Sequence, residues 1–413
     1  METFVEIIGN FVLFYPIVMS LFWIVGTILY FFIIEIRLKK KVNKENLPGI
    51  TFIIPCYNEE ETVEDTIRSV LKMSYPNKEI IAVNDGSSDN TAKVLSQLEE
   101  KLDFKFLNIV NNKGKAHALN RAAEISTNEY IICIDADTII EDIAPYYMME
   151  RFNNNPTLAA VTGNPRIRNK STLLGKIQTI EYASMIGSIK RAQTMNGYIN
   201  TISGVFTLFK REALEKVGYW DMDMITEDIA VSWKFHLNGY HIEYEPRALC
   251  WMLVPETLSG LFKQRIRWAQ GGHEVLLRDW KDMRHQKNFS LWFLFVDQVL
   301  SIIWVYGVVV LLILSLLKNN YLDFYYYNYD FSLLLYSALL LTFVNLIQFT
   351  LSLFIDSKYE KKNMWYLFFL VWYPTFYWFL NASTAIVAFP KALRRKKGEF
   401  ATWSSPDRGN IQQ

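Results

Sequence analysis

The sequence is poor in cysteine, in histidine and in surplus charge. Its three cysteines, Cys56, Cys133 and Cys250, are odd in number and far apart, with no CxxC pair. Neither a disulfide framework nor a cysteine–zinc site fits that spacing, and a reducing compartment does. His117, His236, His241 and His273 show no ligand spacing, so none is assigned to a metal. A net charge of +1 leaves no electrostatic footprint for nucleic acid. Two phosphate-binding signatures are missing as well, GxxxxGK[ST] and a GxGxxG after a strand, which removes the main support for ATPase and dinucleotide readings. Disorder is excluded by what is abundant: 51% of residues are apolar and 15% aromatic.

The apolar residues are clustered. No charge occurs from Phe11 to Ile34, enough helix to cross roughly 30 Å of hydrocarbon. Glu2 and Glu6 precede it where a signal peptide would be basic, so residues 7–34 read as a retained span. Further spans are expected at 291–317, 331–355 and 364–389. Arg37, Lys39, Lys40, Lys41 and Lys44 follow the first span, which predicts that the intervening domain is cytoplasmic. Lys358, Lys361 and Lys362 and the nearly uncharged loop "NNYLDFYYYNYD" agree. The basic tail, 390–413, does not: complete crossings by all these segments would leave it outside, unless the last one, broken by Pro374, is re-entrant or interfacial.

Residues 49–256 alternate β-branched runs with helical patterns, the signature of an α/β domain with a parallel sheet. "ITFIIP", "EIIAVND", "FKFLNIV" and "YIICIDAD" read as strands, and "EETVEDTIRSVLKM", "NTAKVLSQLEEKL" and "GKAHALNRAAEI" as the helices between them. Ligands of such sheets sit beyond the carboxyl ends of the strands. Acidic motifs lie at those ends: "PCYNEE", "NDGSSDN" and "DADT". Asp135 and Asp137 flank one residue, so on a strand they share a face, and their hard oxygens suit Mg2+ or Mn2+ bound together with substrate phosphates. A pair of solvated turn acids is the alternative. In "MITEDIAVSW", Glu227 and Asp228 follow Thr226, which suits either a helix cap or a general base. Ser87 and Asp89 are turn chemistry.

The order "YNEEETV", "NDGSSDNT", "NKGKAHALN", "DADT", "GNPRIRN", "ISGVFTLF", "TEDIAVSW", "QRIRW" resembles that of the processive family-2 glycosyltransferases. Within that family the similarity is greatest to the branch that makes poly-β-1,6-N-acetylglucosamine, and it runs on into "ATWSSPDRGNIQ". The resemblance implies a GT-A-type (Rossmann-like) cytoplasmic domain plus transmembrane α-helices in a bacterial plasma membrane. It also implies UDP-N-acetylglucosamine as donor, a growing polysaccharide as acceptor, a divalent cation, and a small two-span companion subunit in the membrane. By the same resemblance Asp228 is the base with Glu227 beside it, and two adjacent carboxylates in a cleft should raise one pKa. Asp137 is the metal ligand, helped by Asp135, which also holds the donor. Tyr57, Glu59 and Asp85 surround the uridine, with Lys113 and Lys115 on its base or phosphates.

Gln264, Arg267 and Trp268 lie three and four residues apart, on one helical face. Residues alone read this segment, 257–285, as an interfacial amphipathic helix. The resemblance gives Arg267 to the diphosphate, Gln264 to the donor or acceptor, and Trp268 to the acceptor sugar. Asn164, Arg166 and Gly204 are expected on the acceptor side, with a tight turn as the equal alternative. Asp297, an acid within a span, is a functional candidate by position. Hyaluronan, chitin or cellulose remain alternative products, and a nucleotide-sugar sensor or transporter without turnover is the rival of a different class.

Overall fold

In the computed structural model, residues 2–39, 41–42, 44–153, 155–321, 331–371, 373–396 and 398–402 are described. The loop 322–330 and the tail from 403 onward lie outside them. A long apolar helix, α1 (Glu2–Ile33), leads to β1 (Ile50–Cys56), α2 (Val63–Leu71), β2 (Lys78–Asp85), α3 (Thr91–Glu99), β3 (Lys105–Ile109), α4 (Lys115–Ile125) and β4 (Tyr130–Ile134). These are the strands and helices read above. Then come β5 (Ile139–Ile140), α5 (Ala144–Phe152), β6 (Leu158–Ile167), α6 (Leu173–Tyr182), α7 (Ile189–Asn196), β7 (Phe206–Lys210), α8 (Arg211–Lys216), α9 (Glu227–Leu237) and β8 (His241–Met252). A π-helical turn, Ala183–Ser188, joins α6 to α7.

The strands form one sheet in the order β3-β2-β1-β4-β7-β6-β8-β5. β3, β2, β1 and β4 are parallel, as expected, but β7 runs antiparallel to both β4 and β6, so the sheet is mixed. Side chains of period two divide the core. Phe52, Ile54, Ala82, Ile132 and Ile134 face one helical layer, and Ile53, Ile81, Val83 and Ile131 face the other. With both faces covered, these strands read as continuous apolar runs.

The C-terminal third holds α10 (Leu258–Met283), α11 (Phe289–Tyr321), α12 (Phe331–Asp356) and α13 (Tyr373–Arg394). Three helical stretches among the described residues are long and apolar enough to cross a membrane: Thr3–Arg37, Phe289–Leu316 and Ala338–Asp356. The segment 364–389, expected as a fourth, differs: a 3-10 stretch, Lys361–Val371, gives way to α13, with Pro374 in its first turn. Proline lacks an N–H and disfavours helix in the residue before it, so the two pieces do not fuse. α13 packs along α10. The start of the tail returns to the domain: Ala401 N donates to Met222 O at 2.9 Å, and Gly398 N to Asp223 Oδ2 at 3.0 Å.

Candidate active site

A cavity of about 360 Å3 opens beyond the carboxyl end of β4, between the sheet and α10. Its acidic wall comes from two places. Asp135 and Asp137 sit on the turn after β4, not on the strand itself, so the shared-face argument fails in detail although both side chains still line the cavity. Glu227 and Asp228 open α9. Lys115, the first residue of α4, joins the two: its Nζ is 2.5 Å from Asp135 Oδ1 and 3.3 Å from Glu227 Oε1. A cation at a helix N-terminus opposes the dipole, and burial opposes it too, yet Asp135 and Glu227 hold the amine well above its ordinary range.

Thr226 sits at the N-cap position of α9, but its hydroxyl makes no capping bond and has no hydrogen-bond partner. The cap expected of it is absent. Asp228 Oδ1 accepts from Ile229 N at 2.9 Å, so the aspartate itself meets one free helix donor, while a Cβ built on Gly204 would stand 3.1 Å from Oδ2. Gly204 thus makes room for Asp228, and it lines the cavity as well. Burial, then the neighbouring Glu227 charge, push the Asp228 carboxyl up to about 6, with Lys115 restraining it. Burial and Asp135 push Asp137 up to about 7.

The opposite wall is α10. Gln264, Arg267 and Trp268 all line the cavity, as their spacing predicts. Between them Arg265 turns away and pairs with Glu181 at 2.5 Å, both fully buried, while its guanidinium lies 4.2 Å from the Trp268 ring centroid. That pair fixes the helix face and the ring together. α10 also passes the start of α9 so closely that a Cβ on Gly271 would fall 1.9 Å from Thr226 Oγ1. Gly271→Ala is therefore expected to displace α10, destabilising the protein by about 1–3 kcal/mol and lowering turnover. Thermal unfolding in detergent, read beside turnover in membranes, checks both.

Other expected site residues lie elsewhere. Tyr57 and Glu59 follow β1, Asp85 ends β2 and Lys113 lies between β3 and α4, and none of them lines this cavity. Asp85 is buried and ties β2 to α4, accepting from Gly114 N at 2.8 Å and Lys113 N at 3.2 Å. Burial raises its carboxyl pKa against those donors. Glu59 accepts from Thr62 Oγ1 at 2.7 Å at the start of α2. Arg166 is a correction: it does not line the cavity and pairs with Asp356 at 2.7 Å, because β6 faces the end of α12 there. Asn164 donates to Pro246 O at 2.9 Å inside the sheet, a structural role. Asp297 accepts from Tyr15 at 2.8 Å, joining α11 to α1. Among the cavity residues that the sequence reading missed are Tyr182 and Lys190. Their four-residue periodicity from 182 to 190 was a helical signal, without anything local to mark it as a wall.

Strand-end acids, a bridging lysine and a cation-bearing helix around one cleft define a glycosyl-transferring site of the GT-A kind. The fold agrees: a mannosyltransferase from Pyrobaculum calidifontis, solved in complex with GDP-Man and Mn2+, superposes with a TM-score of 0.63 over 94% of this chain and 100% of that one, at 20% identity. Residues 51–218 match the family model "Glycosyl transferase family 2". Poly-beta-1,6-N-acetyl-D-glucosamine synthase of Staphylococcus epidermidis is 60% identical over 410 residues, 98% of this chain and 100% of its own. The synthase of the same name from Staphylococcus aureus strain COL is 60% identical over 408 residues, 98% of this chain and 99% of its own. The chain belongs to glycosyltransferase family 2, in the group of these synthases.

Proposed function

We infer that this protein is a membrane-embedded, inverting hexosyltransferase that extends poly-β-1,6-N-acetylglucosamine, an exopolysaccharide of biofilm and intercellular adhesion, from UDP-N-acetylglucosamine. The observation that carries the reading is Asp228, a partly buried carboxylate on a cavity whose far wall is Arg267 and Trp268. The 60% identity along 98% of the chain supports the choice of polymer. In the reaction, Asp228 takes the proton of the acceptor hydroxyl, whose oxygen attacks the anomeric carbon from the face opposite the diphosphate. The carbon–oxygen bond to the diphosphate breaks, UDP departs with the electron pair, and an α-linked donor becomes a β-linked product. Glu227 keeps Asp228 basic, and Lys115 and Arg267 supply positive charge beside the departing diphosphate. Trp268 gives the terminal acceptor sugar a flat apolar surface.

Asp137 and Asp135 fit a divalent cation. A buried acid pushed up to about 7 next to a second acid is a charge that a cation would relieve. Among the described residues no three acids, histidines or cysteines converge to hold an ion, which suits Mg2+ or Mn2+ completed by water and phosphate oxygens. When bound, the ion neutralises diphosphate charge. Tyr57, Glu59, Asp85 and Lys113 are assigned to the nucleoside at the adjoining strand ends, and Gln264 to the donor.

The domain is assigned to the cytoplasmic side of the plasma membrane, from the cations that follow α1. Few apolar helices are available to screen a polar chain from lipid, which supports a small two-span companion subunit. The test is UDP release from membranes supplied with that companion. Release from UDP-N-acetylglucosamine is expected to exceed that from UDP-glucose by at least about tenfold, well below the ceiling for a site that hydrogen-bonds the missing group, and to stop when EDTA removes the cation. Donor binding without turnover would instead make the protein a sensor.

A further inference from the structure

Lys190 lies on α7 and is 4% exposed. It belongs to none of the motifs that mark the donor, the cation or the base. Its Nζ donates to Thr162 Oγ1 on β6 at 3.2 Å, and the same residue lines the cavity. Thr162 Oγ1 also accepts from Ser203 N at 2.8 Å, so the lysine's anchor is itself fixed by the segment that carries Gly204. An ammonium has three N–H donors, and one of them is satisfied by Thr162. The rest of the amine belongs to a wall shared with Tyr182, Met185 and Ile186, one continuous face of α6, the π turn and α7. π turns inside helices are frequent at functional sites.

A buried amine with unsatisfied donors is costly unless a ligand or an acid completes it. The charged and titratable groups facing it are Asp228 from α9 and Cys250 from β8. Burial draws the Lys190 pKa down to about 7, and Asp228 and then Cys250 oppose that. Asp228 in turn feels Glu227, Lys115 and Lys190. The wall therefore joins the apolar Met185 and Ile186 to the Tyr182 ring and, at the end nearest the base, to the Lys190 amine.

We propose that Lys190 is a positioning residue for the acceptor: its amine holds an oxygen of the terminal acceptor sugar against Asp228 and keeps that carboxylate ionised. A sugar ring fits such a wall, because its apolar face can lie on Met185 and Ile186 while a hydroxyl or acetamido oxygen meets the amine. The proposal rests on the glycosyl-transfer reading above and deepens it.

The sign of the charge effect is fixed. Below about pH 7 Lys190 is protonated and favours ionised Asp228, so removing the charge raises the Asp228 pKa and moves the acidic limb of the rate profile upward. UDP release from UDP-N-acetylglucosamine is measured at pH 6 and pH 8 in membranes holding wild type, Lys190→Met or Thr162→Val. For Lys190→Met the limb should rise by about one pH unit, so the ratio of the rate at pH 6 to that at pH 8 falls about fivefold, and the KM for the donor stays within about twofold of wild type. Thr162→Val keeps the charge and loosens the amine: its rate should fall at both pH values with the ratio and donor KM near wild type. If Lys190→Met does not accumulate in membranes, Lys190→Gln is read the same way. A wild-type ratio in the lysine variants, or a rise in donor KM as the main effect, overturns the proposal. Wild type that releases no UDP overturns the glycosyl-transfer reading instead.

Discussion

Asp228→Asn should lower UDP release by about 100- to 10,000-fold, the range removed when a positioned general base is lost. The substitution conserves shape. Its side-chain oxygen can still accept from Ile229 N, as Asp228 Oδ1 does at 2.9 Å, so the start of α9 and donor binding should both survive. What it cannot do is take a proton. In wild type the rate should rise with pH through about 6 and then level, because the base must be ionised and burial with the Glu227 charge holds its pKa there. Glu227→Gln provides the control on sign: losing a negative neighbour lowers the Asp228 pKa, so the acidic limb should move down while the plateau falls less than in Asp228→Asn. A pH series of initial rates on the variants reads both effects. An Asp228→Asn protein retaining more than about a tenth of the wild-type rate would assign Asp228 to capping alone.

Local sequence was legible where it had local causes. β1, β2 and β4 announced themselves because both faces are buried, and the acids at their ends stood out because strand termini in such sheets are where ligands bind. The face shared by Gln264, Arg267 and Trp268 followed from helical spacing alone. What failed depended on distant partners. Arg166 was expected on the acceptor side or in a tight turn, yet it lies on β6 and its partner Asp356 is 190 positions away at the end of α12. Thr226 has the composition of a cap, but Gly271 of α10 packs against it and Asp228 accepts from a free helix N–H in its place. Lys190 had a helical signal but nothing local to mark it as a wall residue, since what makes it one is the fold of α7 over β6.

Arg191→Met should destabilise the protein by about 3–5 kcal/mol, the cost of removing one partner from a buried ion pair. Arg191, Glu35 and Asp356 are all fully buried. The Arg191 fork reaches Glu35 through Nε at 2.6 Å and its second terminal nitrogen at 3.0 Å, and its remaining nitrogen stands 3.0 Å from Asp356. Arg166 meets the other Asp356 oxygen at 2.7 Å, and Tyr359 donates to Glu35 at 2.7 Å. Two arginines and two acids make the group neutral, and it ties the end of α1, α7, the end of α12 and β6 together. The methionine leaves two buried carboxylates facing a single arginine. Thermal unfolding in detergent should show the midpoint falling by roughly 10 °C. Arg191→Lys should lie between, because an ammonium reaches one carboxylate but cannot fork. Adding Glu35→Gln to Arg191→Met should recover part of the loss, since the second change removes a stranded charge instead of breaking a pair. If the double variant is no more stable than Arg191→Met, the group holds the domain to the membrane helices through packing of Gly26 against Ala192, where α1 and α7 meet most closely, and charge neutrality is incidental.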